Sequence, residues 1–328
     1  MQPTSNRTIV PALPAFLSSA AFVCAVFALL LVLGLEACAA QSAVESAQIH
    51  TLENRLRTAA EQHASPEQLG RLWYLLGVQY QNGFDHEKAE DAYGHAIHLL
   101  RKTALKAEYA DSLHSLAEIY LMQGRLKEAR NSDGEALAVF EEIGQTHNAA
   151  LVRCTTAMRL VREQKFQEAE AEISAALTVL EPLGNRDEVE SAYLTRARAI
   201  AGEGRPEAAL EDVRRARAMA TGDLASNSID AIAILLVQGE IQMQAGIDTE
   251  GEASMAEALK RARSMTSLPP VTHAAFEASI LHREAVSLRK AHRDQDAKVV
   301  EAEMKQAVEA ASSGCNGCTV SVMSLLPQ

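Results

Sequence analysis

Four histidines, a pair of closely spaced cysteines and one isolated cysteine are the residues whose type and spacing bear most directly on chemistry in this 328-residue sequence. His95 and His98 stand one helical turn apart, and His114 falls on a following helix, so the three could share a metal ion; with no carboxylate shell beside them, ordinary surface histidines are the better reading. His86-Glu87-Lys88-Ala89-Glu90 has half of a zinc-protease helix, but Glu90 occupies the place of the second histidine ligand. Cys315-Asn316-Gly317-Cys318 is a C-x-x-C that can close a small disulfide across an Asn-Gly turn in an oxidising compartment. Free thiols are the first alternative. A redox or metal centre is the second, and it is disfavoured because redox motifs of this spacing open a helix beside a strand, whereas this one lies in a Gly/Ser-rich tail. The alternation in Cys318-Thr319-Val320-Ser321-Val322 predicts a short extended tail, and Cys154 stands alone in a helical stretch. No phosphate-cradling G-x-x-x-x-G-K-[ST] is present, Gly202-Glu203-Gly204 lacks the third glycine of a dinucleotide loop, and no G-x-S-x-G elbow occurs. The expectation is a protein without enzymatic chemistry, cofactor, metal or small-molecule substrate.

What positions these residues is a helical chain. Hydrophobic residues make up 48% of the sequence but aromatic ones only 4%, so Ala and Leu carry the apolar content, which favours close-packed helices over sheets. The net charge of −12 argues against binding duplex nucleic acid, whose affinity comes from Lys and Arg on phosphates. Two basic runs, Arg214-Arg215-Ala216-Arg217 and Lys260-Arg261-Ala262-Arg263, are interleaved with Glu211, Asp212 and Glu257, and read as solvated helix faces with intrahelical ion pairs.

Residues 1–40 read as an address. Arg7 is the one charge among the first ten residues, none follows from Ile9 to Leu35, and Ala37-Cys38-Ala39 resembles a processing site, the three parts of a secretory signal. Ala15 to Leu35 is also long enough to span a bilayer as a retained anchor, and Leu35-Glu36-Ala37-Cys38 is similar to a bacterial lipobox with Glu36 out of pattern, which would lipidate Cys38. All three alternatives place the rest of the chain outside the cytoplasm, in the periplasm or beyond, with Arg7 on the inner side.

From residue 65 onward, helices alternate with short polar turns. Ser65-Pro66-Glu67-Gln68 has the form of a capping box, Asn82-Gly83 ends the first helix and Asp85 starts the second. The turn and the helix after it recur, placing Ala89, Ala129, Ala169 and Ala209 exactly in step at intervals of 40 residues. Weaker copies begin at Gly246 and Arg293, and Pro182, Pro269 and Pro270 are expected to end second helices. The first unit reads Trp73-x-x-Leu76-Gly77-x-x-Tyr80 and then Ala89-x-x-x-Tyr93-x-x-Ala96. This resembles the tetratricopeptide repeat, with a period longer than the usual one. The second unit keeps Leu113, Leu116, Ala117, Tyr120, Ala129 and Ala136 but has Asp133 where an aromatic is usual. Later units keep Ala157, Ala169, Ala176, Ala197, Ala209 and Ala216, while Arg153 and Arg196 intrude at usually apolar places.

The resemblance implies an all-α superhelical solenoid of antiparallel helix pairs over 65–312, preceded by a separate hydrophobic helix within 1–40. A capping helix is expected in 41–64 from Val44, Ile49, Leu52 and Leu56, and 313–328 is the tail. It also implies that first helices line a concave groove for a protein or peptide partner. Helical spacing picks out Tyr74, Val78, Gln81, Asp111, His114, Glu118, Cys154, Met158, Arg162, Arg198, Leu236 and Glu240 as groove residues, a mixed surface suited to an extended peptide or a helix. Solvated or interhelix roles are the alternative for each. The Lys and Asn pair with which related repeats grip chaperone C-termini is replaced by Tyr74 and Val78. An exported interaction scaffold is the leading function; a ligand- or peptide-sensing regulator and a thiol-disulfide protein using the tail are the alternatives.

Overall fold

A computed structural model describes residues 47–83, 85–219, 228–265, 268 and 270–313. The export segment with Cys38, the residue Pro269, and the tail with Cys315 and Cys318 lie outside the described residues. The chain divides into two units, 1–48 and 49–328, and only two residues of the first are described.

Every regular element among the described residues is a helix. They are α1 (47–61), α2 (Pro66–Asn82), α3 (His86–Leu100), α4 (Lys106–Met122), α5 (Leu126–Glu142), α6 (Thr146–Arg162), α7 (Phe166–Leu183), α8 (Arg186–Gly202), α9 (Pro206–Met219), α10 (Ile229–Gln244), α11 (Asp248–Arg263), α12 (Pro270–Lys290) and α13 (Asp294–Ser313). The long period is therefore carried by helices of mostly 14 to 18 residues with connectors of a few residues. The box at Ser65 forms reciprocally with Gln68 and Asp85 caps α3, as their types dictate. Pro182 sits in the last turn of α7, and Gly184, in the left-handed region, makes the actual stop. Pro270 opens α12 instead of ending α11, which has already stopped at Arg263; a proline fits a first helical turn, where its missing N–H has no partner to lose.

The turns keep half the period. Gly124, Gly144, Gly184 and Gly204 all have φ between 72° and 78°, and Gln164 takes the same conformation at the position where the series would place another glycine. A single left-handed residue after each of the helices α4 to α8 reverses the chain and feeds the next one back along its neighbour.

Each helix packs against the ones before and after it, the antiparallel pairs α2–α3, α4–α5, α6–α7, α8–α9, α10–α11 and α12–α13 most extensively. The small repeat residues are what permit this: Ala89, Ala96, Ala129, Ala136, Ala169, Ala176, Ala209 and Ala216 are fully buried. The core is a run of overlapping clusters, each shared by neighbouring pairs, as expected of a solenoid. Ile49, Leu52 and Leu56 of α1 cover the first cluster, where Tyr80 donates to Glu53 at 2.8 Å.

A second layer of contact sets the curvature. Successive even-numbered helices from α2 to α12 touch one another, while among the described residues of α3 to α13 no comparable contact joins one odd-numbered helix to the next. Elements that approach their next-but-one neighbours lie on the inside of a bend, so the first helices of the pairs form the concave side.

Candidate functional site

The concave side is set by register. Val78, Glu118, Met158 and Arg198 follow one another at intervals of 40 residues on α2, α4, α6 and α8, and Glu240 and Arg283 continue the line on α10 and α12 after 42 and 43. Side chains from adjacent first helices accordingly meet.

At the α2–α4–α6 end the surface is acidic and largely tied up. Gln81 accepts from the Tyr93 hydroxyl at 2.7 Å and donates to Glu118 at 3.2 Å, and Asn148 donates to Asp111 at 3.1 Å. Burial raises the pKa of Asp111 against the pull of the Asn148 hydrogen bond. His114 lies 3.2 Å from Asp133 through Nδ1 and 3.8 Å from Glu118 through Nε2. Burial opposes charge on that ring, but Asp133, Glu118 and Asp111 outweigh it and raise its pKa. Asp133, at the usually aromatic position, is buried as the histidine's partner. Tyr74 and Val78 are half-buried against the core clusters.

The opposite end is open and basic. Helices α6, α8, α10 and α12 surround a cavity of about 390 Å³. Met158, Arg162, Arg198 and Glu240, four of the residues expected in the groove, line it together, and Met158 is 40% exposed. Glu240 is gripped from both sides: Arg198 Nε donates to one oxygen at 3.0 Å and Arg283 Nη1 to the other at 2.8 Å. Burial alone would raise the Glu240 carboxyl; the two guanidiniums overcome it and hold its pKa at about 2. Arg162 donates to the Leu121 backbone carbonyl and has no carboxylate within ion-pair distance among the described residues. Burial, then repulsion from Arg283 and Arg198, lowers its pKa to about 10.

Two expected groove residues are placed differently. Leu236 is buried in the core with Met255, Ile280 and Leu281, because the sixteen-residue α10 turns that face toward α11 and α12. Cys154 packs beside the core cluster of α6 to α10, and burial pushes its thiol up to about 12, which keeps it protonated and unreactive. Asp212 is likewise not on a solvated face: it is buried and takes Arg196 Nε and Nη2 at 2.6 and 2.9 Å. Glu211 and Glu257, by contrast, do pair within their own helices. His95 is stacked on Trp73, with ring centroids 4.3 Å apart, and no group of three His, Cys, Asp or Glu converges as a metal site among the described residues. No helix among them is long and apolar enough to cross a membrane.

Sequence reasoning missed Arg283, His282 and Val286 on α12. The signal was available: stepping the groove position one more unit past Glu240 lands on Arg283, but the sixth unit is too degenerate for its motif to fix the register.

Residues 68–142 match the tetratricopeptide repeat family, and no curated protein matches the chain. The apo form of RapI superposes with a TM-score of 0.63 at 10% identity, over 81% of this chain and 93% of that one. A Rap protein complexed with competence and sporulation factor gives 0.60 at 15%, over 82% and 81%. The Rap conjugation gene regulator of plasmid pLS20, in complex with the Phr* peptide, gives 0.52 at 14%, over 74% and 76%. Residues 68–142 carry tetratricopeptide repeats, and the fold is an all-α solenoid of helix pairs like those structures. Its helix pairs continue beyond the matched residues, through units in which Arg153 and Arg196 replace apolar residues but find partners in Glu141, Glu172 and Asp212.

One further buried carboxyl strains the solenoid electrostatically. Glu190 on α8 is 4% exposed, and its Oε2 has no hydrogen-bond partner. Burial, then Asp230 and Asp187, raises its pKa to about 7. A carboxyl raised in the folded state contributes stability below its unfolded pKa and loses it as pH rises through the folded value. Glu190→Gln is therefore expected to leave stability unchanged at pH 4 and to increase it by about 2 kcal/mol at pH 8, measured by urea unfolding. An equal gain at both pH values would show that charge is not the cause.

Proposed function

We propose that this protein is a non-enzymatic scaffold that holds a partner peptide or helix along the concave side of its first helices. The observation that carries this reading is the open cavity between α6, α8, α10 and α12. Exposed Met158 and Val286 there stand beside charged groups, giving apolar contact for affinity and charge for register. The similarity to Rap structures in complex with competence and sporulation factor and with Phr* peptide supports a peptide as the occupant. It also supports the second reading, a peptide-sensing regulator, in which binding changes the pitch of the solenoid.

Immobilised random hexapeptide pools test the site. Met158→Asp with Val286→Asp is expected to weaken pool binding at least tenfold, and Val299→Asp, at a still more exposed apolar position on α13, to leave it unchanged. Equal binding by all three proteins would move the partner off the concave side. Small-angle scattering with and without bound peptide separates scaffold from sensor, since only the sensor changes dimensions.

We also propose that the protein works outside the cytoplasm, on the strength of the uncharged stretch from Ile9 to Leu35 and the Ala37-Cys38-Ala39 sequence. Intact mass and membrane partitioning after bacterial expression discriminate a cleaved product beginning near Ala40, a retained anchor and a lipid on Cys38. Retention of 1–40 in a product that partitions into the cytosol would overturn export.

A further inference from the structure

We propose that the cavity between α6, α8, α10 and α12 is a carboxylate-binding site, in which the guanidiniums of Arg162, Arg198 and Arg283 clamp an acidic group of the peptide. This rests on the reading of the concave side as a peptide groove and gives that groove its chemical selectivity.

The argument is one of charge balance in a confined space. Three guanidiniums from three different helices face the cavity, and one carboxylate, Glu240, answers them. Lys290 adds a further positive charge to the lining. In a chain of net charge −12, where most arginines are matched by a carboxylate on a neighbouring turn or helix, this is a local excess of the opposite sign.

The excess is unrelieved from within. His282, also in the lining, has its pKa lowered by burial and by Arg283, so it adds no carboxylate-like relief and little charge. Glu240 already receives a hydrogen bond on each oxygen from Arg198 and Arg283 and is held ionised. Arg162 has only the Leu121 carbonyl, which satisfies one of its five N–H donors and none of its charge. Burial and the other two guanidiniums depress the pKa of Arg162, as they would where a positive field is uncompensated.

A peptide carboxylate supplies what is missing. It offers two oxygens with several lone pairs to guanidinium forks built to donate in parallel, and a desolvated Arg–carboxylate contact is about twice as strong as a neutral hydrogen bond. The apolar part of the lining, with Met158, Val161, Met243 and Val286, covers the residue that carries it. The acidic Asp111 and Glu118 at the other end of the groove repel the same group, so the ligand's negative end is directed to α6–α12.

The test uses biolayer interferometry on N-terminally biotinylated hexapeptide pools of three kinds. One carries Asp or Glu and a C-terminal amide, one carries neither acid but a free C-terminus, and one is uncharged and amidated. At least one acidic pool is expected to bind about tenfold more tightly than the uncharged pool; the first winning assigns a side-chain carboxylate, the second the chain terminus. Arg162→Gln leaves no carboxylate unpaired, and it should remove about tenfold from acidic-pool binding while leaving the uncharged pool unchanged. Glu240→Gln should act in the opposite direction and tighten the acidic pool, an inversion that a merely structural role for either residue does not produce; helicity by circular dichroism checks both folds. Equal binding of all three pools, or no effect of Arg162→Gln, overturns the carboxylate site and leaves the groove standing. Failure of every pool to bind overturns the groove reading with it.

Discussion

Asp212→Ala is expected to destabilise the solenoid by about 3–5 kcal/mol, the cost of stranding a buried charge. Asp212 on α9 is buried and Arg196 on α8 is 17% exposed, so the bidentate pair lies between two helices that pack as one repeat. Tyr193 completes the enclosure, with the Arg196 guanidinium 5.1 Å from its ring centroid. The Asp212 carboxylate is the first cause of the raised Arg196 pKa, and that support goes with it; an arginine nevertheless stays protonated, so the guanidinium remains charged after the carboxylate is gone. Arg215, 3.9 Å from Asp212, is half-exposed and turns to solvent instead. Replacing both partners, as Arg196→Leu with Asp212→Leu, should recover most of the loss, because the apolar pair removes the charge that has no partner and restores the residue type usual in this repeat. Chemical unfolding of the wild type, the single and the double variant makes the comparison. A double variant no more stable than Asp212→Ala would mean that the pair contributes net stability beyond mutual neutralisation.

That pair also marks where sequence stops being legible. The alanines at intervals of 40 fixed helix pairing and handed the first unit its register, because small residues are demanded wherever two backbones approach. The same reasoning placed Met158, Arg162, Arg198 and Glu240 on one surface, since one position per first helix repeats down the stack. It left Arg153, Arg196 and Asp133 as exceptions because their partners lie 12 to 19 residues away on another helix, and no local spacing announces such a match. Leu236 was misplaced for a related reason: α10 is apolar nearly all round, with nine of its sixteen residues buried, so its periodicity does not distinguish the groove from the core. Arg283 was missed because its helix has lost the small residue that marks register, with His282 where earlier units have Gly77, Ala117, Ala157, Ala197 and Gly239, though not the groove position itself.

Glycine gives the sharpest instance, because the same residue type carries opposite instructions at different places. Gly239→Ala is expected to cost about 3 kcal/mol, at the upper end of what overpacking costs. A Cβ at Gly239 on α10 would stand 2.8 Å from the Gly251 backbone oxygen and 2.7 Å from Met255 Cγ on α11. The methionine can turn aside, but the carbonyl cannot, since it belongs to the backbone of the neighbouring helix. The contact is reciprocal, for a Cβ at Gly251 would meet the Gly239 oxygen at 3.0 Å, so the two helices touch backbone to backbone and any methyl must part them. Parting them opens the cluster of Ile232, Met243, Met255 and Leu259, and loosens α10 where Glu240 must hold Arg198 and Arg283. Gly94→Ala in α3 is the matched control. Its Cβ would meet nothing within 4 Å, so the substitution is expected to stabilise by about 0.5–1 kcal/mol through helix propensity alone. Thermal and urea unfolding of the two variants should therefore move in opposite directions from the wild type. A small loss at Gly239 equal to that of an ordinary surface substitution would mean that α10 and α11 do not approach this closely, and the geometry of the carboxylate cavity, which depends on where α10 sits, would fall with it.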